Sequence, residues 1–194
     1  MNRSAPGTKR SGDRPVAVFI GGPPASGKTT LATALAPALG AALLDLDVAT
    51  GPLTNVILEL IGACDLSEPR AAQLTREPRY ETLFGLAEDT ARAGTSAVLV
   101  GPFGAECDAS RWAGIATRLS RFAEAHLVWL TLPPAELVRR LAARGAARDA
   151  VKLQDPAGYG ADLDSHRPTA PHLPLDATRP VQDLLRDVLE HLEH

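Results

Sequence analysis

Two cysteines, three lysines and no apolar run near the ~20 residues that cross a bilayer mark what this 194-residue chain has little of. Each shortage excludes something. Cys64 and Cys107 have neither metal-ligand spacing nor the number that a disulfide framework needs, which fits a reducing, cytoplasmic setting. The lack of a long apolar run argues against a transmembrane helix. The net charge of −3 supplies no field that would hold nucleic acid or an anionic membrane, so neither is expected as a partner. Residues 1–14 are polar, and Lys9 and Arg10 are followed by no apolar core, so they read as a flexible lead-in and not a signal peptide. Scarcity also sharpens one position: with three lysines among twenty basic residues, a lysine at a meaningful place is hard to credit to composition.

What is present alternates. Val16-Ala17-Val18-Phe19-Ile20 is a continuous, β-branched apolar run, as a strand buried on both faces requires. Residues 28–39 read as a helix with Leu31, Leu35 and Leu39 on one stripe, and Gly40 is placed to end it. Strands at 42–45, 96–100, 125–130 and 172–175 follow. Helices are expected at 50–61, 68–76, 78–93, 110–122, 134–144 and 180–189, with Pro78 opening one of them. Buried strands alternating with helices predict an α/β fold, a parallel sheet covered on both faces, in one domain over 15–191. Residues 155–171 are rich in Pro, Gly and Asp and read as a loop.

Between the first strand and the first helix stands Gly22-Pro23-Pro24-Ala25-Ser26-Gly27-Lys28-Thr29, followed by Thr30. This is the phosphate-loop pattern, in the strand-turn-helix context that confirms it. Glycines let the backbone wrap so that successive N–H groups point inward at a phosphate, and the helix start adds its positive dipole end. Lys28 is expected at the β- and γ-phosphates of ATP, and the Thr29 hydroxyl at Mg²⁺.

The kind of phosphate-loop protein follows from further absences. No Asn-Lys-x-Asp segment is present to read guanine, and Asp155-Pro156-Ala157-Gly158 lies too late and follows no strand, which excludes a GTPase switch. The third strand ends Val100-Gly101-Pro102 without the carboxylate of a mechanical ATPase. Carboxylates stand instead after the second strand, in Leu44-Asp45-Leu46-Asp47. Ligands of an open parallel sheet collect at the carboxyl ends of its strands, so both belong beside the phosphate loop. One, with Asp47 preferred, is expected to orient or deprotonate an attacking hydroxyl. The other, Asp45, is expected to help hold Mg²⁺ with Thr29.

With these residues the chain resembles the small P-loop kinases grouped with chloramphenicol phosphotransferase, adenylylsulfate kinase, gluconate kinase and the zeta-toxin kinases. The resemblance implies a five-stranded sheet of order 2-3-1-4-5, a helical lid at about 139–171, and a loop at 176–180 beside the adenine. Within the lid, Arg140, Arg144, Arg148 and Lys152 recur every fourth residue, a basic stripe for neutralising a moving phosphoryl group, with Arg144 and Arg148 the foremost candidates and Gly145 as the bend. The roughly fifty residues between the second and third strands exceed one crossover and are expected to cap the acceptor, with Arg79, Tyr80, Glu81, Pro102, Phe103 and Glu106 as possible contacts. The expected activity is transfer of the γ-phosphate of ATP to a hydroxyl of a small natural-product, antibiotic or sugar-like alcohol, by a monomer or homodimer. The alternatives are a nucleoside or nucleotide kinase, a nucleic-acid end kinase, and a non-catalytic ATP-binding regulator.

Overall fold

The computed structural model describes residues 14–145 and 167–193. The chain runs β1 (Val16–Gly21), α1 (Lys28–Leu39), β2 (Ala42–Asp45), α2 (Leu46–Ile61), α3 (Pro69–Arg92), β3 (Ala97–Val100), α4 (Ala109–Leu119), β4 (Glu124–Thr131), α5 (Pro134–Arg144), β5 (Leu173–Asp176) and α6 (Val181–Leu192). All strand pairs are parallel, as the alternation of buried strands and helices predicts, and the sheet order is β2-β3-β1-β4-β5, as the family resemblance implies.

Period-two alternation of β1 builds two cores. Ala17 and Phe19 point to one face, where Tyr80, Leu83 and Phe84 of α3 and Trp112, Ile115 and Leu119 of α4 cover them. Val18 and Ile20 point to the other, under Leu31 and Leu35 of α1 and Leu184 and Val188 of α6. Phe19 anchors the first core, edge-on to Trp112 at 5.1 Å and to Phe103 at 5.4 Å between ring centroids. Among the described residues no helix is long and apolar enough to cross a membrane.

The strand order places the site. From β1 the chain crosses to the edge strand β2, steps back to β3, then passes β1 to β4 and β5 on the other side. Parallel sheets open a ligand crevice at such a reversal, at the carboxyl ends. The register sets Asp45, Val100 and Ile20 level at the carboxyl ends of β2, β3 and β1.

One element departs from expectation. Residues 68–76 and 78–93, read as two helices, are a single 24-residue α3 with Pro78 inside it. Ala71, Thr75, Tyr80, Leu83, Phe84, Ala87 and Ala91 form a continuous buried stripe through the proline, and their packing outweighs its local cost. Helix α2 also starts earlier than expected, at Leu46, because Asp45 caps it.

Candidate active site

The phosphate loop leaves β1 at Gly22, whose φ of 133° and position exclude a side chain: a Cβ there would lie 2.5 Å from the carbonyl oxygen of Leu130. The loop then turns tightly, with the Ser26 amide donating to the Pro23 carbonyl at 3.3 Å and Ala25 in the left-handed region at φ 59°. Pro23 and Pro24 have no N–H, so the amides that can face a phosphate are those of Ala25, Ser26, Gly27, Lys28 and Thr29. The Lys28 ammonium donates to the carbonyls of Gly22 and Pro23 at 3.0 and 2.7 Å, which folds the cation back over the loop. The Ser26 hydroxyl is buried and has no hydrogen-bond partner among the described residues. Thr29 and Thr30 are exposed on the first turn of α1.

These features suit a nucleotide phosphate: a concavity that a Cβ would fill, an orphaned buried hydroxyl, a helix start and a cation over the loop. Among the described residues no three His, Cys, Asp or Glu cluster as a metal cage. Mg²⁺ bound through phosphates, water and one or two side chains needs no such cage, and the Thr29 hydroxyl and Asp45 carboxylate are of the oxygen type it takes.

Asp45 and Asp47 lie on the same edge of the sheet. Asp45 is level with Ile20 two strands away, about 10 Å at the usual strand spacing. Its Oδ1 accepts from the amides of Asp47 and Val48 at 2.9 and 3.3 Å, so one oxygen serves as the N-cap of α2. The carboxylate of Asp47 meets Arg79 of α3, whose Nη2 donates to Oδ1 at 2.5 Å while Nε donates to the Thr50 hydroxyl at 2.9 Å. The Arg79 side chain is 14% exposed and that of Asp47 65%, so a held guanidinium steers an open carboxylate.

One turn earlier on α3, Arg76 pairs with Glu106 at 2.5 Å and stacks over the Tyr80 ring at 4.9 Å. Glu106 follows β3 and is buried. The Tyr80 hydroxyl accepts from the Phe103 amide at 3.1 Å, and burial, reinforced by the Glu106 charge, pushes the phenol above its ordinary range. Of the expected acceptor contacts, Tyr80, Phe103 and Glu106 are therefore linked through Arg76, and Arg79 lies beside them on the same helix, paired with Asp47. Pro102 is exposed at the strand end, and Glu81 turns to Arg118 of α4. Arg76 and Thr50 were not singled out from sequence. Arg76 shares a helix face with Arg79 and Tyr80 only if the helix continues through Pro78.

On the lid side, Arg139 and Arg140 both grip Glu136, whose carboxyl these bonds lower to about 2, and Arg140 also donates to the Ala177 carbonyl at 2.9 Å. Arg144 is exposed in the last turn of α5, and Gly145 ends that helix at φ 59°. Arg148, Lys152, the segment 155–158 and most of the expected lid lie outside the described residues. In the loop after β5, Asp176 accepts from both the amide and the hydroxyl of Thr178, and Arg140 ties this loop to α5.

Comparison with known proteins agrees with this architecture. A family described as an AAA domain matches residues 18–157, well over half of the chain. No curated protein matches the sequence. Solved structures that superpose on it include a sugar kinase from Janibacter sp. (20% identity, 92% of this chain and 95% of that one, TM-score 0.63). A gluconokinase from Sinorhizobium meliloti is also similar (18%, 92% and 92%, 0.61). So is the Mycobacterium tuberculosis APS kinase in complex with AMPPNP and APS (23%, 93% and 99%, 0.61). At these identities the likeness is one of fold.

Proposed function

Because the chain belongs to the AAA domain family, with the match spanning the phosphate loop, the acidic strand end and α3, we propose that it transfers the γ-phosphate of ATP to a hydroxyl of a small molecule. The observation that carries this reading is the shared edge: a lysine-bearing phosphate loop and, just past the end of the strand two places away, a carboxylate aimed by a partly buried guanidinium. The kinases with the same fold support it by analogy.

In this reading the loop amides and Lys28 hold the β- and γ-phosphates, and Thr29 and Asp45 would hold Mg²⁺, which would supply positive charge to the phosphate oxygens. Asp47 accepts a hydrogen bond from the acceptor hydroxyl and points its oxygen at phosphorus. The new O–P bond forms as the bond from the γ-phosphorus to the β–γ bridging oxygen breaks. ADP leaves with that electron pair, and the hydroxyl proton passes to Asp47. Such transfers pass through a loose transition state that asks more for orientation than for a strong base, and the Arg79 pair supplies orientation. Arg144 and Arg148 are proposed to neutralise the moving group from the lid.

The test is ADP release against a panel of alcohols. Acceptor-dependent release should fall about 10²–10⁴-fold in Asp47→Asn while ATP binding persists. ATP binding without stimulation by any alcohol would return the chain to the class of nucleotide-binding regulators.

A further inference from the structure

Helix α3 carries Arg76, Arg79 and Tyr80 at three- and four-residue spacings, so they share one face, and that face meets the ends of β2 and β3. Both guanidiniums there are matched by carboxylates of the protein, Arg79 by Asp47 and Arg76 by Glu106. Neither guanidinium of this face is therefore left unmatched for an anionic acceptor.

Within this network one group is incomplete. Glu106 is 4% exposed; its Oε1 takes the Arg76 bond, and its Oε2 is buried with no partner among the described residues. Buried carboxylate oxygens are seldom left unpaired, because desolvation removes their water and nothing replaces it. Around it the network is otherwise fixed: Arg76 is clamped between Glu106 and the Tyr80 ring, and the Tyr80 hydroxyl is tied to the Phe103 amide. The open valence is thus an acceptor of hydrogen bonds on a rigid support.

We propose that Glu106 is a specificity-determining residue of the acceptor site: its Oε2 takes a hydrogen bond from a second donor group of the acceptor, so the acceptor is a neutral or cationic polyhydroxy compound or amino alcohol and not a carboxylate- or phosphate-bearing one. This rests on the phosphotransferase reading above. An anionic acceptor would have to displace Asp47 or Glu106 from its arginine. A hydroxyl or ammonium completes Glu106 without disturbing either pair. Sites that hydrogen-bond a substrate donor also discriminate strongly against analogues lacking it.

The experiment uses the full chain with ATP and Mg²⁺ and a charge-matched acceptor set. Glucose, glucosamine, gluconate and glucose 6-phosphate share one carbon skeleton, and chloramphenicol and kanamycin extend the neutral and cationic arms. ADP release is measured for wild type, Glu106→Gln and Glu106→Asp, with ATP binding and thermal melting followed in parallel. Turnover should be confined to neutral or cationic compounds. For the acceptor used, Glu106→Gln should raise KM about 10- to 100-fold with a smaller change in kcat, and Glu106→Asp should restore part of the loss. Preference for gluconate or glucose 6-phosphate, or an unchanged KM in Glu106→Gln, overturns the inference and leaves phosphotransfer standing. ATP binding with no turnover of any acceptor defeats the phosphotransferase reading and this inference with it.

Discussion

Phe103 holds a φ of 49°, a left-handed conformation that costs a bulky residue about 1–2 kcal/mol. It persists because the ring is buried against Phe19 and because its amide is tied to the Tyr80 hydroxyl. Strain of this kind collects where a turn must hold one shape, and this turn leads from β3 to Glu106. Tyr80→Phe keeps the ring and removes the acceptor of the Phe103 amide. The variant should lose about 1–3 kcal/mol of stability by denaturant unfolding, with a raised acceptor KM. Wild-type stability and KM together would show that the turn does not depend on this bond. At this scale the sequence is readable where chemistry demands a fixed spacing, as at Lys28 and Thr29. Glu106 could be named as a possible contact, but its pairing with Arg76 could not, because the two are thirty residues apart and meet only through tertiary packing.

Helix α3 shows how one local signal can mislead. Proline disfavours a helix interior, since it removes one i to i−4 bond and its ring crowds the carbonyl one turn back. Splitting the segment at Pro78 was the natural reading of the sequence, yet seven buried residues on both sides hold it as one helix. The split also hid the face that brings Arg76 together with Arg79 and Tyr80, so the residues named from sequence stood without the arginine that joins Tyr80 to Glu106. A testable consequence is that Pro78→Ala should stabilise the protein. An interior proline costs about 3 kcal/mol, and loss of its stiffening of the unfolded chain returns up to about 1 kcal/mol of that. The net gain of about 2 kcal/mol corresponds to a rise of roughly 4–8 °C in Tm for a chain of this size. An unchanged Tm would mean that the helix has already absorbed the proline without cost. Elements without such a conflict, such as α1 at Lys28–Leu39, β2 at Ala42–Asp45 and α5 at Pro134–Arg144, have the boundaries their patterns predict.

For the molecule as a whole, buried apolar runs alternating with helices made the parallel sheet legible, while the order of its strands came from the family resemblance. The same sandwich sets its response to acid. His126 lies on β4 in register with Val18, on the face covered by α1 and α6. Its ring meets His191 of α6 edge-on at 5.8 Å, and the Glu124 carboxylate lies 3.6 Å away. Burial lowers the His126 pKa below the ordinary 6.5; Glu124 opposes this and His191 adds to it. A histidine whose folded pKa is depressed takes up its proton more readily in the unfolded chain. Stability is therefore lost as pH falls below 6.5, with the loss levelling off once pH drops past the folded pKa. The carboxylates whose pKa is lowered, Glu136, Asp176, Asp187 and Asp108, begin to matter only below about pH 4.5 and leave this window clear. Melting curves between about pH 8 and pH 5 should show Tm falling on the acid side in the wild type. His126→Phe keeps a ring against His191 and removes the proton, so its Tm should be flatter across the same window. If the two profiles run parallel, protonation of His126 does not loosen the seat of α6 on the sheet.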